Sequence, residues 1–291
     1  MTDTILSFDT LAKRFGKQSV LNDITAAVNR GDVIGVLGLN GAGKTTLLEC
    51  ALGFSLPDTG YAHVFGQDGA NLDRSTRARI GFVPQRDELL DAMTTTQYMN
   101  LIASFYPHWN RSLVQRLLQE WNVPTDKRIG TQSIGQRQKL SIISALGHEP
   151  ELLVLDEPVA SLDPVARRLF LKELVDIASS HARSIVFSTH IVSDLERVAN
   201  RVWLLQDGKI AIDSELDTLK EQVVRIHLPP GAAIPAPLVP LVLRQRQAHG
   251  RTILLCHTWK THFAQTLPSD AGQQTLLETL SLEDIFLELH A

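Results

Sequence analysis

Gly38-Leu39-Asn40-Gly41-Ala42-Gly43-Lys44-Thr45-Thr46 decides how this chain is read. Ahead of it lies Asp32-Val33-Ile34-Gly35-Val36-Leu37, a short apolar run that reads as a buried strand. Behind it lies Leu47-Leu48-Glu49-Cys50-Ala51-Leu52, which reads as a helix. Strand, glycine-rich turn, Lys-Thr and helix is the context of a phosphate-binding loop. The glycines let the backbone curl with its N–H groups inward, and the helix start adds unpaired donors and a positive dipole end. Residues 38–46 therefore form a candidate phosphate cradle, with Lys44 placed to reach β- and γ-phosphates and the Thr45 hydroxyl placed to ligate Mg²⁺. A glycine-rich turn without a ligand is the plainer alternative, and the complete G-x-x-x-x-G-K-T pattern in this context argues against it.

Working outward, 291 residues suit one large domain or a main domain with an appendage. An apolar fraction of 44% is ample for a buried core, and the net charge of −4 shows no basic excess for nucleic-acid binding. Cys50 and Cys256 lack metal-ligand spacing and read as buried thiols. Met1-Thr2-Asp3-Thr4 does not read as a signal peptide, and no apolar run approaches the ~20 residues of a membrane-spanning helix. The expectation is a cytoplasmic chain whose membrane role comes through a partner.

Residues 5–28 alternate as strands around a turn at Phe15-Gly16-Lys17-Gln18, giving an antiparallel β-region before the phosphate loop. An aromatic in that turn can stack on a purine ring, but on its own Phe15 reads first as a core or turn-packing residue. Ile80-Gly81-Phe82-Val83-Pro84-Gln85 is a strand with a polar end, where Gln85 can face a metal or water or simply be solvated. Thr94-Thr95-Thr96 can cap a helix over 97–106 that Pro107 breaks, and residues 113–121 repeat apolar positions at helical spacing. Ser133 and Gly135 sit at the start of a further helix, a second candidate anion site whose commoner use is N-capping. Residues 151–158 form an apolar strand ending in Asp156-Glu157-Pro158. Adjacent carboxylates at the end of a buried strand are costly without positive charge opposite, and a phosphate-bound Mg²⁺ fits. Asp156 is placed to hold that ion and Glu157 to orient or deprotonate an attacking water. Residues 185–190 repeat the pattern with His190, a candidate donor to a γ-phosphate.

Together these pieces resemble the nucleotide-binding subunit of an ABC transporter over roughly residues 4–220. Residues 38–45 look like the Walker A loop, Gln85 the Q-loop glutamine, residues 152–156 Walker B and Glu157 the catalytic glutamate. Ser161-Leu162-Asp163 matches the D-loop, His190 the switch histidine, and Phe15 falls where the family places its base-stacking aromatic. The signature departs from the usual Leu-Ser-Gly-Gly-Gln: it reads Gln132-Ser133-Ile134-Gly135-Gln136, keeping the serine, the second glycine and the glutamine. Ile134 is expected to point away from nucleotide. Residues 105–110, 187–196 and 281–289 are similar to the YtrB-like branch and to ATPases of ABC-2-type exporters.

The resemblance implies an α/β P-loop NTPase with a RecA-like core, an antiparallel β-region and a helical subdomain over about 90–145. Residues 221–291 lie beyond the resemblance and read by themselves as a small α+β accessory part, for dimerisation or regulation or merely as cover for exposed apolar surface, with strands at 223–228 and 251–256, a proline-rich connection from 229 to 240, and one or two short helices over 276–289. Scattered histidines there give no metal-ligand spacing. It also implies ATP and Mg²⁺ as cofactors, with Thr45, Gln85 and Asp156 as metal-facing residues and catalysis by Glu157, His190 and Lys44. A second ATPase copy would supply Ser133, Gly135 and Gln136 across the nucleotide, and a separate membrane permease would dock on the segment from Gln85 to about Asn110. The chain would then sit at the cytoplasmic membrane face. Two other classes stand as alternatives: a soluble ABC ATPase of translation or DNA repair, and a nucleotide-sensing module without turnover. The first lacks its tandem cassettes or coiled-coil insertions here, and the intact Lys44, Asp156, Glu157 and His190 count against the second.

Overall fold

The structure, a computed structural model, describes residues 3–179, 183–257, 269–270 and 273–290. The chain divides into two compact units, Met1–Asp213 and Ser214–Ala291.

The first unit runs β1 (Thr4–Phe15), β2 (Gln18–Asn29), β3 (Val33–Leu37), α1 (Lys44–Ala51), β4 (Thr59–Val64), β5 (Gln67–Asp68), α2 (Arg74–Arg77) and β6 (Ile80–Val83). It continues through α3 (Thr95–Ala103), α4 (Arg111–Glu120), α5 (Ile134–Leu146), β7 (Leu152–Leu155), α6 (Pro164–Ala178), β8 (Ser184–Thr189), α7 (Val192–Val198), β9 (Arg201–Gln206) and β10 (Lys209–Glu215). Every residue of β3, β7 and β8 is buried. Such continuous apolar runs belong to a sheet covered on both faces. They form the middle of a six-stranded sheet in the order β10-β9-β3-β8-β7-β6. β3 is parallel to β8 and β9, and β7 is parallel to β6 and β8. The register sets Leu37 beside Thr189, Leu155 beside Phe187 and Val83 beside Leu155. Four parallel strands thus end together, and the residues that follow them share one edge of the sheet.

A second sheet, β2-β1-β4-β5, is antiparallel. One core joins it to α1 and the first sheet, with Phe8 meeting the fully buried Trp203 edge-on at 6.1 Å between centroids. Gly60 is required where β4 approaches β1: its φ is +73°, and a Cβ there would lie 2.4 Å from the carbonyl oxygens of Asp9 and Thr10. The expected helical insertion is α3, α4 and α5. Thr94 and Gln97 close a capping box on α3, Asn110 caps α4, and Ser133 with Gln136 closes a second capping box on α5.

The second unit holds α8 (Leu216–Gln222), β11 (Val224–Leu228), β12 (Val242–Ala248), β13 (Arg251–Cys256), β14 (Ser269–Asp270), β15 (Gln273–Gln274), β16 (Leu276–Thr279) and α9 (Leu282–His290). An antiparallel sheet β12-β13-β11-β16 buries Val224, Ile226, Leu228, Leu254 and Cys256 with Leu238. The expectation of short helices over 276–289 is corrected in its first half. Residues 276–279 are β16, paired with β11 from Leu276 opposite His227 to Thr279 opposite Val224. The ladder supplied by β11 outweighs the weak helical preference of four residues. Leu282, Ile285, Phe286 and Leu289 then bury one stripe of α9. The alternating β12 was absent from the sequence reading because its polar residues alternate without a strong apolar partner set.

Candidate functional site

The phosphate-loop candidate follows β3 directly. Gly41 and Gly43 take φ of +83° and +103°, and Gly43 opens α1 as its N-cap in the left-handed region. No side-chain cap closes that helix start, so its first N–H groups face the loop. The Lys44 ammonium donates to the Gly38 carbonyl at 2.7 Å and the Leu39 carbonyl at 3.2 Å. It also lies 3.2 Å from Glu157 Oε1, with both side chains about 5% exposed. That last contact is an ion pair without hydrogen-bond alignment.

Glu157 is held from three sides. Its φ is +47°, a left-handed backbone that costs a non-glycine residue about 1–2 kcal/mol. Its N–H donates to Ser188 Oγ at 2.8 Å, and the Ser188 hydroxyl donates to Asp156 Oδ1 at 2.5 Å. Its Oε2 meets His190 Nδ1 at 2.9 Å. One serine, buried in β8, therefore aims both adjacent acids, while Lys44 and His190 flank the second. Sequence reasoning passed over Ser188. The signal was available: it is a polar residue inside the otherwise apolar run that leads to His190.

A cleft of about 370 Å³ is lined by Phe15, Asn40, Gly41, Gly43, Lys44, Thr45, Thr46, Gln85 and Glu157. Phe15 is 53% exposed there, with the Lys13 ammonium 5.2 Å from its ring centre. A neighbouring cleft of about 660 Å³ carries Thr45, Gln85, Asp156 and Glu49 among its lining. Burial, and then the negative charge of Asp156, push the Glu49 carboxyl upward. Hydroxyl, amide and carboxylate oxygens in an excess of negative charge suit a hard divalent cation that keeps waters and phosphate oxygens as further ligands. The donor set therefore fits Mg²⁺.

The structure does not bring Ser133, Gly135, Gln136 or Asp163 to either cleft. Ser133 Oγ accepts from Gln136 N at 3.2 Å and Gln136 Oε1 accepts from Ser133 N at 3.0 Å, which is the capping use of both side chains. A Cβ on Gly135 would lie 3.2 Å from the Ser161 carbonyl, so α5 starts close against the turn before α6. Asp163 caps α6, and the Ala166 N–H holds its carboxyl below the usual range. Ile134 is 71% exposed. Leu39 is exposed beside Asn40, and Ala42 N donates to the Leu39 carbonyl at 3.1 Å within the loop.

A family model described as "ABC transporter" matches residues 21–160. The "Nod factor export ATP-binding protein I" of Burkholderia thailandensis is 31% identical, covering 98% of this chain and 96% of that protein. The chain belongs to the ATP-binding subunits of ABC transporters. This ABC subunit is an ATPase, and its clefts lie where strand ends and phosphate loop meet. A solved structure described as the ATP-binding subunit of an ABC transporter superposes with a TM-score of 0.68 at 28% identity, covering 75% of this chain and 92% of that one. A dimeric ATP-binding cassette bound to ADP and Pi matches at a TM-score of 0.66 and 20% identity over 73% of this chain and 99% of that one, which shows the shared fold. Among the described residues no helix is long and apolar enough to cross a membrane.

Proposed function

We propose that this ABC ATPase is the motor of an exporter-type transporter, binding ATP between two copies and driving a separate membrane permease from the cytoplasmic face. The observation that carries the reading is the Lys44–Glu157–His190 arrangement beside the glycine loop, with Ser133 and Gly135 standing outside that cleft. A donor-bearing helix start that is not turned toward its own nucleotide site is suited to a second copy's site. The exporter assignment is supported by the name of the relative that matches nearly the whole chain.

In this reading the backbone N–H groups of residues 38–46 and Lys44 bind the phosphates, and Phe15 stacks on the base. Thr45, Gln85 and Asp156 would hold Mg²⁺, which supplies charge neutralisation at the phosphates when bound. Glu157 accepts a proton from, or orients, the attacking water, while Ser188 fixes its backbone and His190 fixes its carboxylate. Ser133, Gly135 and Gln136 of the second copy present a helix N-terminus to the γ-phosphate, so ATP favours the paired state more than ADP does. Asp163 keeps the turn before α6 in place beside that helix start. Residues 1–220 form the motor in this reading and residues 221–291 an accessory part for dimerisation or regulation. Cargo choice belongs to the permease.

The test is affinity purification of the tagged Glu157→Gln chain from detergent-solubilised native membranes, with and without ATP-Mg²⁺. A stoichiometric polytopic partner is the expected result. Recovery with ribosomes or DNA, or only as a free dimer, would overturn the transport reading.

A further inference from the structure

Gln85 lies two residues beyond β6, and the segment that follows it is laced to the segment that carries Ser133. Gly130 N donates to the Asp91 carbonyl at 3.1 Å, and Ile129 N to the Met93 carbonyl at 2.9 Å. Thr94 and Arg128 form an isolated antiparallel bridge, and Gln132 Nε2 donates to Thr95 Oγ1 at 2.8 Å. Arg137 joins these strands of contact. Its guanidinium takes both oxygens of Asp87, through Nε at 3.1 Å and through a short Nη2 bond, reaches Asp91 Oδ1 at 2.5 Å, and donates to the Ile129 carbonyl at 3.3 Å. Arg137 and Asp87 are both mostly buried. The Arg137 N–H donates to the Ser133 carbonyl at 3.0 Å, so this side chain leaves the first turn of α5.

We infer that Arg137 is a positioning residue that fastens the loop after Gln85 to the helix start bearing Ser133, so that a displacement of one is passed to the other. The inference rests on the reading of Gln85 and Ser133 given above. A planar fork holding one carboxylate by two bonds resists rotation as well as separation, which a lysine cannot reproduce. Two carboxylates on one guanidinium also make the joint hard to break: the Asp87 and Asp91 bonds drive the Arg137 pKa well above its ordinary value. With the four flanking contacts, residues 87–95 and 128–137 behave as one body whose nearest free joint is Gln85 itself. Nucleotide that attracts Gln85 would then re-aim Ser133 toward a second copy. The linkage is reciprocal: seating of Ser133 on a second copy's nucleotide would draw Gln85 inward.

The experiment uses the full chain with Arg137→Lys, Asp87→Asn and the charge-swapped pair Arg137→Asp with Asp87→Arg. Hydrogen exchange of peptides spanning residues 133–140 is followed on adding ATP-Mg²⁺ in a Glu157→Gln background, at a dilution where light scattering reports single copies. Turnover is measured with Glu157 intact. The parent should show nucleotide-dependent protection at the start of α5. Arg137→Lys and Asp87→Asn should keep nucleotide Kd within about twofold, lose that protection, and lose about tenfold in kcat. The swapped pair should recover part of both. Retention of protection and of kcat within about twofold in the single variants overturns the inference. So does an unresponsive α5 in a parent that binds ATP, or a loss confined to thermal stability. Failure of the motor reading shows separately, as a parent without turnover or without a membrane partner.

Discussion

Replacing Ser188 with alanine removes a hydroxyl that serves both acids of the site. Ser188 is fully buried, accepts from Glu157 N and donates to Asp156 Oδ1. Alanine removes a bond to a charged acceptor, worth about 1.5–3 kcal/mol, and leaves a buried N–H without a partner at about 1 kcal/mol more. The expected destabilisation is about 3 kcal/mol, or roughly 6–12 °C in Tm for a unit of this size. The functional loss should be larger than the stability loss suggests. Glu157 sits in a left-handed backbone that its neighbours must hold, and a shift of its carboxylate by about 1 Å costs on the order of 100-fold in turnover. Differential scanning calorimetry and steady-state ATP hydrolysis read the two effects, with ADP affinity as the control that stays within about threefold. Ser188→Cys, a weak donor of similar size, should fall between parent and alanine. A Ser188→Ala chain with Tm within about 2 °C and kcat within about twofold of the parent would refute the claim that this hydroxyl positions the acids.

Glu157→Gln keeps the size of the side chain but removes its charge, so nucleotide binding should persist while at least about 99% of turnover is lost; normal turnover would sink the assignment. Lys44→Ala should weaken ATP binding by about tenfold or more, measured by titration with a fluorescent nucleotide, because phosphate charge loses its buried cation. His148 is buried, stacked on Tyr106 at 3.9 Å, bonded to the Ile80 carbonyl, and its pKa is pushed down to about 4 by burial. The folded state holds it neutral while the unfolded chain protonates near pH 6.5. Its contribution is therefore intact above pH 6.5 and lost as pH falls toward 4, by about 3 kcal/mol in all. His148→Phe should flatten the fall in Tm between pH 7 and 4.5, and an unchanged slope counts against a neutral buried imidazole. Gly60→Ala should cost about 2 kcal/mol or more, seen as a lower Tm, because the methyl meets two carbonyl oxygens in a positive-φ backbone.

Residues 38–46 were legible because a phosphate loop is a local object: glycine conformations, a lysine and a helix start are all set within nine residues. The same holds for β3, β7 and β8, whose unbroken apolar runs announce burial on both faces. The polar residues just beyond β6, β7 and β8, namely Gln85, Asp156, Glu157 and His190, could be named from the sequence as strand ends. The capping boxes at Thr94 and Ser133 were likewise written in three-residue spacings.

Sheet order is a long-range choice, so only the tertiary structure placed those strand ends on one edge and closed Glu157 between Lys44 and His190, 113 and 33 positions apart in the chain. The role of Ser188 is of the same kind, since a serine in a strand gains meaning only from the strand beside it. Arg137 reads in the sequence as an ordinary helical arginine, and its Asp87 and Asp91 partners lie 50 and 46 residues away. In the second unit, β16 became a strand because β11 offered a ladder that four residues alone cannot announce. Local backbone chemistry was fixed by the sequence, while the pairing of distant charges was decided by packing, because desolvation makes a buried ion demand a partner wherever the fold can bring one.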